Sequence, residues 1–199
     1  MAMSKTSPFT PGKRGEPLRE RVIDAAERLL REGKAEFSMR DLAAEGGVSF
    51  ATPFNQFGNK SAIMHALSER RIAAMIERFE EAPLREHAVD RVMLAVDLAA
   101  AVMLEESAVN RAVMGWLGTA TPSPGTVLAH STTLWARALG DGKGLAANRR
   151  EVALCMLPEQ LAFAFRGVLS FWTAGELPDD ALTPAARKVA NTLLLGFVG

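Results

Sequence analysis

Residues 48–59 read VSFATPFNQFGN, a stretch without a single lysine, arginine, aspartate or glutamate. It offers instead the adjacent amides of Asn55 and Gln56, preceded by Phe50, Ala51, Thr52 and Phe54. A carboxamide places a donor beside an acceptor and so matches the major-groove edge of adenine, while a threonine or alanine methyl packs on the thymine methyl. Carried at the head of a short helix, these residues have the chemistry of duplex-groove recognition. Catalysis has no comparable support. His65, His87 and His130 are the only histidines and share no metal-ligand spacing. No nucleophile motif, phosphate-cradling glycine loop or dinucleotide fingerprint occurs. The expectation is a non-enzyme with no catalytic residue, no metal and no cofactor.

Such tips work only if neighbouring elements hold them at a fixed angle. Leu18, Val22, Ala25, Ala26, Leu29 and Leu30 recur at helical spacing, and Gly33 is placed to close that helix. Ser38 is placed to cap a second short helix, Met39 to Glu45. Gly46 and Gly47 then permit a tight turn through positive φ. Ser49 is read as the cap of a third segment reaching Gln56, and Asn59 opens a fourth helix carrying Ile63, Leu67, Met75, Ile76 and Phe79. Phe37, Leu42, Val48, Phe54 and Phe57 are the expected small core. Pro53 is the awkward residue, because it lacks a backbone donor and threatens the carbonyl of Ser49. A tightened helix start, or a cap shifted to Thr52, relieves that conflict.

The remainder also reads as helices, near 86–106, 107–118, 127–139, 145–174 and 183–198, divided by turn-rich stretches at 121–125, 140–144 and 177–180. Period-two alternation is scarce, so an all-α chain is expected. Its 199 residues balance 23 basic against 23 acidic side chains, which excludes a general polycation. Residues 1–60 hold ten Lys and Arg against eight Asp and Glu, and the first fifteen contain Lys5, Lys13 and Arg14 with no acid. Cys155, alone in an apolar run, reads as a buried inert thiol. The N-terminus lacks a signal-peptide core, and the nearly uncharged apolar stretch 92–104, interrupted by Asp97, falls short of the roughly 20 residues of a membrane span. A cytoplasmic protein without membrane contact is the expectation.

The order of these features, from Arg21 to Leu67, resembles the DNA-binding domain of the TetR family of bacterial regulators. The paired alanines, the Gly33 break, Ser38, the run Arg40–Asp41–Leu42–Ala43, then Gly47–Val48–Ser49, the aromatic pair around Asn55 and Gln56, and Asn59–Lys60 carry the resemblance. It implies a three-helix helix-turn-helix domain over 16–62, after a flexible basic tail at 1–15. A helical ligand-binding and dimerisation domain would follow over 63–199. By matching position, Phe50, Thr52, Asn55 and Gln56 would meet bases or nearby sugars. Ser38 and Arg40 would meet phosphates, as would Lys60 at a helix N-terminus, and Ser49 and Phe54 complete the DNA-binding set. Phe54 stands where the family usually has tyrosine. The resemblance further implies a repressor of a palindromic double-stranded DNA operator, released by a hydrophobic or aromatic small molecule and homodimeric through its last two helices. Trp116, Trp135, Met114, His130 and Arg166 are the ligand-binding candidates, with core packing the simpler reading for the aromatics and methionines. Asn110 and Arg111 are further groups able to orient a ligand. Arg166, set among Phe163, Phe165 and Phe171, fits a cavity, a snorkelling surface residue or a dimer contact equally. The uncharged 48–59 stretch and Pro53 keep an alternative open: a small-molecule-binding or interaction protein of the same fold that has lost sequence-specific DNA binding.

Overall fold

The structure is a computed structural model that describes residues 17–118 and 126–198. The basic tail with Lys5, Lys13 and Arg14, and the turn at 121–125, lie outside the described residues. The described residues form α1 (Leu18–Arg31), α2 (Met39–Glu45), α3 (Ala51–Phe57), α4 (Lys60–Glu81), α5 (Ala88–Glu105), α6 (Ser107–Leu117), α7 (Val127–Leu139), α8 (Arg150–Thr173) and α9 (Asp179–Leu195). They contain no strand, only an isolated bridge between Leu145 and Val198. Contacts divide the chain between Ile63 and Met64 into two compact units.

In the N-terminal unit, short helices are held by their ends. The closing turn of α1 places Gly33 at φ +74°, with Gly33 N–H on the Leu30 carbonyl and Lys34 N–H on that of Leu29. This paired closure satisfies carbonyls that the helix end leaves open. The end of α2 repeats it, Gly47 bonding to Ala44 and Val48 to Ala43. Of the two turn glycines only Gly47 adopts positive φ, +59°. Gly46 is right-handed; a Cβ there would stand 3.2 Å from the Leu42 carbonyl oxygen of its own helix and at ordinary contact distance, 3.5 Å, from the Ala25 Cβ of α1. Val22, Ala25, Ala26, Leu29, Leu30, Phe37, Leu42 and Ile63 are buried here. Phe54 is not part of that core as expected: it is 43% exposed, because Thr52 and Pro53 occupy the inward side of α3.

In the C-terminal unit α8 packs on α6, α7 and α9, while α5 packs on α6, α7 and α9. Two element starts differ from expectation. Leu145 makes the isolated bridge and residues 147–149 form a turn, with Ala146 N–H bonding the Phe197 carbonyl, so α8 begins at Arg150. α9 begins at Asp179 rather than 183, with Asp179 and Asp180 in its first turn, where the helix dipole favours acids, and Pro184 inside it. α8 is long and apolar enough to cross a membrane by length and composition, a property the reading of 92–104 alone overlooks. One side of α8 is core: Ala153, Leu157, Leu161, Phe165, Leu169 and Trp172 are buried. The other is uncovered in the single chain. Val152, Met156, Phe163 and Phe171 are exposed there, and Cys155 is exposed as well. The buried reading of Cys155 is therefore corrected, since apolar neighbours on the outward side of a helix do not bury a thiol.

Candidate nucleic-acid interface and ligand cavity

α2 is fixed at its start by a reciprocal cap. Asp41 N–H donates to Ser38 Oγ at 3.2 Å, while the Ser38 N–H and hydroxyl donate to Asp41 Oδ2 at 2.9 and 2.8 Å. These bonds hold the Asp41 carboxyl below its ordinary pKa. Two arginines of α1 clamp the other end. Arg21 donates to the carbonyls of Gly46 and Gly47 at 2.9 and 2.8 Å, and Arg28 pairs with Glu45 at 2.6 Å. Sequence reasoning missed both clamps; a long cation one helix away from a glycine turn leaves no spacing signature.

The start of α3 resolves the proline conflict by tightening. Thr52 N–H bonds the Ser49 carbonyl at 2.9 Å, and Phe50 is the N-cap, with no side-chain cap bond. Pro53 then lies in the first turn, where its missing donor has no intrahelical acceptor to lose. Ser49 therefore does not cap the helix as expected; its hydroxyl meets the Thr52 hydroxyl at 2.8 Å. Thr52, expected among the base-reading tips, is buried, packed inward beside Pro53 and apart from the outward residues of α3. The outward residues of α3 and its cap are Phe50, Phe54, Asn55 and Gln56. Phe50 and Phe54 stack edge to face, with centroids 5.6 Å apart. Ser38, Arg40 and Ser49 are exposed as well. Asn59 caps α4 through Ala62 N–H.

Lys60 is half-turned into the unit. Its ammonium donates to the Ala35 carbonyl at 2.6 Å and lies 4.4 Å from the Phe37 ring centroid. Burial lowers its pKa, with Glu36 opposing. Lys60 thus ties the head of α4 to the loop before α2, a role the expected phosphate contact leaves out.

This geometry is a short exposed helix, joined by a glycine turn to a capped supporting helix and braced by α1. Residues 22–67 match the family model for bacterial regulatory proteins of the tetR family. Over this segment the chain is similar to a TetR-type helix-turn-helix. Over most of its length the fold is similar to that of solved TetR regulators. It superposes on a TetR transcriptional regulator from Rhodococcus sp. RHA1 with TM-score 0.69 and 21% identity, covering 89% of this chain and 96% of that one. The TetR family repressor AlkX from Dietzia sp. gives TM-score 0.58 at 21% identity, covering 94% and 100%. SmeT, the repressor of a multidrug efflux pump of Stenotrophomonas maltophilia, gives 0.56 at 21%, covering 91% and 90%. No curated protein matches the chain.

Within the C-terminal unit of this TetR-type fold lies a cavity of about 290 Å³. Its walls include Met75, Met103, Met114, Leu134, Trp135 and Phe165, with His65, Arg71 and Arg166 among the polar groups. Of the ligand candidates, Met114, Trp135 and Arg166 line this space, whereas Trp116 and His130 do not. His130 is exposed, its Nδ1 3.8 Å from Glu69. Asn110 is buried and fully engaged: its amide donates to the carbonyls of Val102 and Met103 in the last turn of α5 and accepts from Arg71 Nε at 2.8 Å. Arg111 is likewise taken, by the Trp172 carbonyl and Asp179. Neither is free to orient a ligand. Asn110 in particular closes a helix end, which the sequence does not separate from a lining role.

Proposed function

We propose that this chain is a homodimeric, effector-responsive transcriptional repressor, resident in the cytoplasm and without catalytic activity, that reads a palindromic operator. The observation that carries the reading is the outward set Phe50, Phe54, Asn55 and Gln56 on a helix whose inner residues, Thr52 and Pro53, are packed away. Asn55 and Gln56 supply base-edge hydrogen bonds, the two rings supply apolar contact, and Ser38, Arg40 and Ser49 flank them for phosphate. With no cation between Val48 and Asn59, nonspecific attraction falls to flanking groups.

The exposed apolar stripe Val152, Met156, Phe163 and Phe171 on α8, together with Leu195 on α9, supports pairing of these helices with the same helices of a second copy. Such symmetry matches two half-sites spaced about 34–36 Å apart. The cavity, mostly apolar, supports a small hydrophobic or aromatic effector that binds one conformation better and shifts the DNA-binding equilibrium.

Selecting bound fragments from random duplex DNA with the purified protein tests the reading. An enriched two-fold-symmetric motif is expected. Dimerisation with only sequence-blind DNA affinity would instead favour the second reading, a binding protein of this fold without operator recognition. The inward engagement of Lys60 and the burial of Thr52 are the observations on that side.

A further inference from the structure

Among the described residues, the lining of the C-terminal cavity contains no aspartate or glutamate, while two arginines, Arg71 and Arg166, and the imidazole of His65 contribute to its wall. Arg71 is already neutralised: its guanidinium donates to Asn110 at 2.8 Å and reaches Glu106 at 3.3 Å. Arg166 has no such arrangement. Among the described residues its one hydrogen-bond partner is the thioether sulfur of Met114, 3.3 Å from Nη1, and a thioether is a weak acceptor. Phe165, Leu169 and Trp135 share the same wall. Half-burying a guanidinium against apolar groups without a counter-charge costs free energy, and burial accordingly lowers its pKa with no opposing acid.

From this arrangement we propose that the cavity takes a small organic monocarboxylate with an apolar body, its carboxylate held by Arg166 and its body lying against Trp135, Met75, Met103 and Phe165. The inference deepens the effector reading above and rests on it for its biological sense. A guanidinium offers paired N–H groups that match a carboxylate, so an anion supplies what Met114 cannot. A neutral hydrophobe would fill the same space and leave the cation uncompensated. The volume, at the small end of ligand sites, limits the body to a single substituted ring or a medium alkyl chain.

The rival source of a counter-charge is an acid from a second copy of the chain, because Phe163, which also lines the cavity, is exposed on the outward face of α8. Calorimetry on the full-length protein separates the two. The probes are 4-tert-butylbenzoate and octanoate, each against its neutral amide, at neutral pH. Each acid is expected to bind roughly tenfold or more tighter than its amide, the scale of a charge-assisted bond in a sheltered site. Arg166→Met should erase the preference while leaving amide affinity and dimer mass unchanged, and Arg166→Lys should restore part of it. Equal binding of acid and amide by the unaltered protein overturns the proposal whether or not the variants fold, and so does a failure of every acid to bind. Arg166→Met yielding monomers with the acid preference intact overturns it in favour of the partner acid. Operator release by the same probes is read separately. Acid-selective binding without release sinks the effector reading alone, and release by neutral amides as readily as by acids sinks the carboxylate alone.

Discussion

In the N-terminal unit the candidate groups stand outside the packing that holds them: Phe50, Phe54, Asn55 and Gln56 face solvent while Leu42, Phe37 and Val22 do the holding. In the C-terminal unit Trp135 and Met114 are buried, and the candidate groups border a space that the packing leaves empty. On the proposed reading, one unit separates recognition from stability along the two sides of a short helix, and the other uses the same side chains for both, since a residue that lines a cavity also supports its walls. Substitutions at the two places should therefore fail differently.

The largest effect is expected deep in the C-terminal unit. Trp172 is fully buried, donates its indole N–H to Asp179 at 2.8 Å and lies under the Arg111 guanidinium. Trp172→Ala should lower the free energy of unfolding by about 3–5 kcal/mol, the range for deleting a buried large aromatic, as read by denaturant titration. A loss below about 1 kcal/mol would mean that the unit relaxes around the gap, and the contrast with the N-terminal unit would weaken.

Asn55→Ala is the opposite case. Unfolding should shift by no more than about 0.5 kcal/mol, since Asn55 is exposed. Binding to a selected operator should weaken by about 1–3 kcal/mol, with preference relaxed at one base position and preserved elsewhere. Competition gel shifts against single-position operator variants check it. Uniform weakening at every position would make Asn55 a backbone contact.

Between these extremes lies the turn. Gly47 sits at φ +59°, so Gly47→Ala should cost about 1–2 kcal/mol of stability and lower DNA affinity by displacing α3. Gly47→Asn should recover part of both, because asparagine tolerates the left-handed region. An unchanged melting temperature for Gly47→Ala would show that the turn can re-form in another geometry.

Much of the fold is legible in the residue order, for a physical reason. Helix ends in the N-terminal unit are specified locally: Ser38 caps α2, Gly33 and Gly47 close turns by positive φ, and Asn59 caps α4. Each acts within about four residues, inside the reach of a sequence pattern. What stays hidden depends on distance along the chain. Arg21 bonds carbonyls 25 and 26 positions away, and Arg71 meets Asn110 across 39. Inward or outward orientation is also poorly marked where every position is apolar. Thr52 and Pro53 turn in while Phe54 turns out, and Phe163 and Phe171 are exposed beside buried Phe165 and Trp172. A cavity has no sequence mark, because it is made of side chains that stop short, so Met114, Trp135 and Arg166 could be nominated only by type.

The smallest predicted effect isolates the local cap. Ser38 holds the Asp41 carboxyl below its ordinary pKa by two donated hydrogen bonds. A carboxylate whose folded pKa is depressed stabilises the native state above its unfolded pKa, about 3.9, and loses that stabilisation as pH falls through the folded value. The melting-temperature gap between the unaltered protein and Asp41→Ala should therefore be widest near neutral pH and shrink as the solution is acidified through about pH 4 and below. Asp179, whose carboxyl is also held low, by Arg111 and Trp172, titrates over the same range. It is present in both proteins, however, so its contribution cancels from the difference and the narrowing reports α2 alone. Ser38→Ala, which keeps the backbone N–H donor to Asp41, should cost about 1 kcal/mol of stability near neutral pH and show a smaller narrowing. A gap that stays constant down to pH 3 would mean that the carboxylate is not what fastens the helix, and that α2 is held chiefly by the clamps of Arg21 and Arg28 on its far end.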